Sequence, residues 1–162
     1  MWVYVYKFTK KRMLAKCKTR LVVWEDQQKL ISADTYADIY AVTLVICFFC
    51  IFMIMTVRFD LKLIQYDAVN VFVHANLNEI VFMKMSDEYW KTDHILKLNK
   101  TLYELWRSSF LWQQKLKKIL LNQKFKEILH EFCCMTWNDI LIFFYVDDIM
   151  FAHRRKDKTL VQ

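Results

Sequence analysis

Two adjacent aspartates, Asp147 and Asp148, interrupt an apolar run in the segment ILIFFYVDDIMFAHRR (Ile140 to Arg155), and a third, Asp67, closes another apolar stretch 80 residues earlier. Transfer of a nucleotide to a primer 3′-oxygen uses two Mg²⁺ ions about 3.5 to 4 Å apart, one activating the attacking oxygen and one holding the triphosphate. Mg²⁺ prefers carboxylate oxygens but takes only one or two of them, completing its shell with water and phosphate. An aspartate at the end of one strand, facing aspartates at a hairpin tip on its neighbour, is the smallest arrangement that meets this need. By itself a paired aspartate between strands is more often an ordinary turn, since Asp is a good turn residue. Phe72, five positions after Asp67, adds a ring that could lie under the sugar of an incoming nucleotide and exclude a 2′-hydroxyl. Taken alone, it reads equally as a core aromatic.

The elements that must position these residues follow from periodicity. Alternating and β-branched stretches predict strands near Trp2 to Phe8, Thr19 to Trp24, Leu61 to Tyr66 (delivering Asp67 at its end) and Ile80 to Met85. Three more are predicted over Phe132 to Thr136, Asp139 to Tyr145 and Ile149 to Ala152, the last two joined through Asp147 and Asp148. The apolar stretch from about Ala37 to Val57 is too long for a strand and reads as a helix. A second helix, ending near Gln123, places Leu105, Trp112, Leu116 and Ile119 on its apolar face and turns Lys115, Lys117 and Lys118 mostly away. This order predicts an α+β fold with a largely antiparallel sheet, in one domain spanning residues 1–162. No repeat, low-complexity segment or linker stands out.

Composition sharpens the picture. The 162 residues carry a formal net charge of +7, and the seven bases between Met1 and Trp24 are accompanied by no acid, a bias that suits a polyanionic partner or simply a solvated basic surface. Five cysteines form an odd set without a signal peptide, which favours reduced intracellular thiols over disulfides and implies an intracellular location. Cys47 and Cys50 form a CxxC inside an apolar run with no second pair at zinc spacing, and His130 with Cys133 and Cys134 is an equally weak ligand set. The run from Ile39 to Val57 is 19 residues without a charge, long enough for a membrane-spanning helix and also readable as an unusually apolar core helix. Glycine and proline are both absent, where average usage would supply about 11 and about 8 in a chain this long. Turns and helix ends that need positive φ must therefore use other residues.

Five segments, taken in order, resemble the reverse transcriptase of copia-type long-terminal-repeat retrotransposons over nearly the whole chain. KTRLVV (Lys18 to Val23) is similar to a KARLV strand of that family, and IQYDAVNVFVHANLNE (Ile64 to Glu79) to its first catalytic motif. VFMKM (Val81 to Met85), LKLNKTLYELWRSSFLW (Leu96 to Trp112) and LIFFYVDDI (Leu141 to Ile149) follow in the family's order. The resemblance implies that Asp67, Asp147 and Asp148 are catalytic and hold two Mg²⁺ ions, that Phe72 selects deoxyribose, and that Lys18 and Arg20 contact the triphosphate. It further implies RNA or DNA template-primer and dNTPs as partners. The expected architecture is a fingers/palm fragment of a right-hand polymerase without a thumb, fingers-like over about 1–60 and 80–100 and palm-like over about 61–79 and 101–155.

The departures from the family pattern share one chemistry. Trp24 and Glu25 replace an Arg-Gly pair, Ser86 and Glu88 a proline and a glycine, Glu104 the glycine of YGL, and Ser109 and Phe132 prolines. Each replacement can be reached by C-to-T or G-to-A transitions, which predicts a decayed element copy, little or no remaining activity and a marginal fold. The alternatives are a non-catalytic basic remnant that binds nucleic acid, or a product inserted in a membrane through residues 39–57.

Overall fold

The computed structural model describes residues 1–23, 46–85, 94–129 and 131–154. Strands β1 (Trp2–Phe8) and β2 (Leu14–Leu21) form an antiparallel hairpin, and helix α1 (Ile46–Arg58) leads into β3 (Lys62–Asp67). A short 3₁₀ turn (Val71–His74) precedes a second hairpin, β4 (Asn76–Lys84) with β5 (Ile95–Lys100). Helix α2 (Ser108–Asn122) then introduces β6 (Lys126–Ile128), β7 (Glu131–Trp137), β8 (Ile140–Tyr145) and β9 (Asp148–His153). The last four strands and β3 make one antiparallel sheet in the order β3-β9-β8-β7-β6, so the expected α+β, largely antiparallel architecture is found.

Strand alternation sends successive side chains to opposite faces, and each face has its own helix. Phe143 and Cys134 on one face, with Ala152, pack against Phe52 of α1, with the Phe52 and Phe143 rings 5.6 Å apart. Met135, Ile142 and Phe144 on the other pack against Trp112, Leu116 and Leu120 of α2. The helix differs from the sequence expectation in start and in phase: it begins at Ser108, leaving Leu105 ahead of it, and Leu120 is buried while Ile119 is 44% exposed, because the contact follows the i, i+4 row through residues 112, 116 and 120. Other differences are of extent. β2 begins at Leu14 because the basic turn closes already between Thr9 and Met13, and β5 and β6 are two short strands that periodicity does not reveal. Of the apolar run 39–57, residues 46–57 lie in α1 and 39–45 lie outside the described residues. Among the described residues no helix is long and apolar enough to cross a membrane. Trp24, Glu25, Ser86, Glu88 and His130 also lie outside them.

Burial, with the Glu131 carboxylate nearby, pushes the Cys133 thiol from 9.0 up to about 11 and the Cys134 thiol up to about 12. Both stay protonated near neutral pH and are poor ligands there. All five cysteines are free, and Cys17, Cys47 and Cys50 are exposed.

Among the described residues seven occupy positive φ, none of them glycine: Arg12, Asp60, Asn70, Glu104, Lys124, Asn138 and Val146. Two close the helices. After α2 the Phe125 amide donates to the Leu120 carbonyl (3.1 Å) and the Lys124 amide to that of Leu121 (2.9 Å), a Schellman ending whose left-handed residue is usually glycine. α1 ends the same way with Asp60 at φ 47, Leu61 donating to Thr56 and Asp60 to Val57. Lys124 at φ 69 therefore carries the penalty of a side chain in left-handed backbone. Lys124→Gly is expected to stabilise the protein by about 1 kcal/mol, read as a higher urea midpoint at unchanged slope, whereas Lys124→Ala gives no gain.

Candidate functional site

Asp67 ends β3, and its cross-strand partner on β9 is Asp148. The next pair outward, Ala68 and Asp147, is joined by a hydrogen bond from the Ala68 amide to the Asp147 carbonyl (2.8 Å). In an antiparallel ladder hydrogen-bonded and non-hydrogen-bonded pairs alternate, so Asp67 and Asp148 form a non-hydrogen-bonded pair. Side chains stand closest in such pairs, roughly 4.5 to 5.5 Å apart at Cβ. Both carboxylates are exposed, as is Asp147 in the turn. Like charges placed directly opposite each other destabilise a sheet, and here they meet at its solvent end. One neighbour offsets the repulsion: Gln65, on the same face of β3, donates its side-chain amide to Asp148 Oδ1 (2.9 Å).

The turn that carries Asp147 has only two central residues, Val146 and Asp147, between the paired Tyr145 and Asp148. Val146 is at φ 52, a position that turns of this length normally give to glycine, and a β-branched residue there is strained. The strain is held from outside. Trp112 Nε1 on α2 donates to the Val146 carbonyl at 2.6 Å, and Val146 packs against the cluster that contains Trp112.

Phe72 lies in the 3₁₀ turn, half-buried against the same cluster as Ala68 and Val146. Its carbonyl accepts the Thr101 hydroxyl, and its ring meets Tyr103 edge-on, centroids 5.0 Å apart. The Arg20 guanidinium lies over the Tyr103 ring, 4.9 Å from its centre. Tyr103 also bridges to Val22, and its carbonyl accepts the Val23 amide (3.1 Å). Tyr103 thus ties the β1–β2 hairpin, with Arg20, to the turn bearing Phe72. Lys18 sits on the same face of β2 as Arg20, since two residues separate them on the strand. Arg20 Nε is buried without a hydrogen-bond partner among the described residues.

The structure therefore brings Asp67, Asp147 and Asp148 to one sheet end, with Phe72 packed beside that turn and Arg20 joined to it through Tyr103. Among the described residues no three His, Cys, Asp or Glu side chains converge as a ready metal site. The chemistry of the donors is nonetheless of the kind Mg²⁺ takes: hard oxygens, two of them opposed in register, exposed where phosphate and water could complete a shell. Sequence reasoning missed Gln65, Thr101, Tyr103 and Trp112 as site residues. All four lie inside the quoted motif segments, but only their cross-chain partners reveal what they do.

The sequence profile of the reverse transcriptase (RNA-dependent DNA polymerase) family matches residues 1–161. The chain is 26% identical over 168 aligned positions to the "Retrovirus-related Pol polyprotein from transposon TNT 1-94" of Nicotiana tabacum. That alignment covers 99% of this chain and 12% of the relative, so the chain spans about an eighth of that protein's length. No solved structure matches.

Trp112→Phe keeps most of the ring packing and removes the hydrogen bond to Val146. A loss of about 1 to 2 kcal/mol is expected in urea unfolding, against about 3 to 5 kcal/mol for Trp112→Ala.

Proposed function

The chain belongs to the reverse transcriptase (RNA-dependent DNA polymerase) family, and on that premise we propose that it is the nucleotide-adding region of a copia-type element, weakened by mutation. The observation that carries this reading is the opposed pair Asp67 and Asp148, a local cost without structural benefit unless a cation lies between the carboxylates. In the proposed assignment Asp67, Asp147 and Asp148 hold Mg²⁺, which when bound supplies Lewis-acid activation and charge neutralisation for nucleotidyl transfer. Gln65 orients Asp148 from the side. Phe72 forms the floor under the sugar, set in place by Tyr103 and Thr101. Arg20, whose buried Nε has no hydrogen-bond partner among the described residues, and Lys18 take the triphosphate. In this reading the five-stranded sheet with α2 is the palm and the β1–β2 and β4–β5 hairpins belong to the fingers; α1, inside the span 1–60 expected to be fingers-like, packs on the palm sheet through Phe52 and goes with it, and the partners are template-primer and dNTPs.

Mutational weakening is supported by backbone conformation. Glu104 stands where the family has glycine and adopts φ 64. Ser109 stands where the family has proline and falls in the first turn of α2, a place that accepts proline. Both positions keep the geometry of the residue they lack.

Incorporation of dNTP on a primed RNA template is expected to be Mg²⁺-dependent and weak, to rise in Glu104→Gly, and to fall about 100-fold or more in Glu104→Gly carrying Asp147→Asn, which removes a metal carboxylate worth about 3 kcal/mol. Incorporation that survives Asp147→Asn would place the chemistry elsewhere.

A further inference from the structure

Helix α2 holds two loops from one side. Trp112 donates its indole N–H to the Val146 carbonyl beside Asp147. Lys115, three residues on and therefore on the same face of the helix, donates its ammonium to the His74 carbonyl at 2.6 Å. His74 closes the 3₁₀ turn that carries Phe72, and its ring stands 6.3 Å from that of Trp112. Its Nε2 lies 3.2 Å from the Val69 carbonyl; a carbonyl only accepts, so Nε2 carries the proton and donates. The segment from Val69 to His74 is thereby closed by its own last side chain and tied to α2 by its last carbonyl.

Within the segment, Val73 donates to Asn70 and Ala75 to Phe72, each at 3.2 Å, with Asn70 in left-handed backbone at φ 56. Packing of Val71 in the α2 cluster sets the depth of the loop, and the two polar ties through His74 set how it is turned about that anchor. Lys115 and His74 are both exposed, so their contacts add little to the core, while ordering the long lysine side chain costs rotamer freedom.

We propose that His74 and Lys115 are positioning residues that together set the orientation of the Phe72 ring relative to Asp67 and Asp148, and with it the discrimination of deoxyribose from ribose in the incoming nucleotide. Selection at the sugar rests on the polymerase reading, which gives Phe72 its place in the site. His74 and Lys115 act through Phe72 and do not themselves touch the nucleotide. Exclusion by contact depends steeply on position, and a misplacement of about 1 Å can change a rate by up to about a hundred-fold. One helix thus sets both the aspartate turn, through Trp112, and the sugar-facing ring, through Lys115.

The test has two arms, both on the whole chain. Amide exchange, followed by NMR in EDTA without nucleotide, reads the loop. In Lys115→Met the Val73 and Ala75 amides are expected to exchange about ten-fold faster, the size of one lost hydrogen bond from a charged donor, while the amides of β8 keep the parent rate. Lys115→Arg, which keeps a donor, is expected to restore the parent behaviour. The ratio of kcat/KM for dNTP to that for rNTP, measured with Glu104→Gly as parent, reads selection. Lys115→Met is expected to lower this ratio about ten-fold and Lys115→Arg to retain it. His74→Phe, which keeps a ring beside Trp112 and loses the donor to Val69, is expected to lower it about three-fold, the size of one neutral hydrogen bond. A merely structural loss would depress incorporation of both nucleotides alike and leave the ratio where it was. Unchanged exchange in Lys115→Met, or faster exchange with an unchanged ratio, would overturn the proposal. A parent that incorporates neither nucleotide overturns the polymerase reading and selection at the sugar with it, while the exchange arm still decides whether Lys115 holds the loop.

Discussion

The position of every acidic group at the sheet end depends on the register of β3 against β9, and that register is fixed near the tip by two hydrogen bonds. Ala68 holds the Asp147 carbonyl and Trp112 holds that of Val146. A slip of one residue would turn Asp148 to the other face of the sheet, away from Asp67. The same slip would move Met150 and Ala152 out of the α1 cluster and Ile149 and Phe151 away from the α2 cluster. Two apolar faces, each covered by its own helix, therefore enforce the placement of two charged residues that repel each other.

That enforcement matters because the rest of the backbone is expensive. Asp60, Asn70 and Asn138 tolerate left-handed conformation comparatively well, but Arg12, Glu104, Lys124 and Val146 do not. At about 1 to 2 kcal/mol each, four such positions approach the lower end of the roughly 5 to 15 kcal/mol by which ordinary domains are stable. Val146 differs from the other three in being locked by Trp112, so its strain sits where it fixes the tip of the turn. Glu104 adjoins Tyr103, the residue joining Arg20 to Phe72, so its left-handed backbone is a cost borne at that junction.

Much of this was legible in the sequence, and the reasons are local. Strand alternation ending at Asp67, a two-residue gap between apolar runs at Asp147, and the helical period through Trp112 each leave a mark within a few residues. The phase of α2 was legible only to within one position, since Ile119 and Leu120 are equally apolar and only the facing sheet selects between them. The roles of Gln65, Thr101 and Tyr103 had no local mark at all. Their partners lie 83, 29 and 83 residues away, at Asp148, Phe72 and Arg20, and contacts of that separation exist only once the chain has folded. β5 and β6 escaped notice for a local reason: β6 spans three residues, and β5 opens on two adjacent apolar residues, Ile95 and Leu96, and ends on Asn99 and Lys100, so little clean alternation is left.

The central claim is that Asp67 and Asp148 oppose each other around a divalent cation. Substoichiometric Mn²⁺ in amide-resolved NMR spectra tests it without requiring catalysis. The amides of Ala68, Asp147 and Asp148 are expected to broaden first, and this broadening should disappear in Asp67→Asn while the remaining spectrum is retained. Broadening that leaves those three amides sharp, or that persists unchanged in Asp67→Asn, would contradict the account.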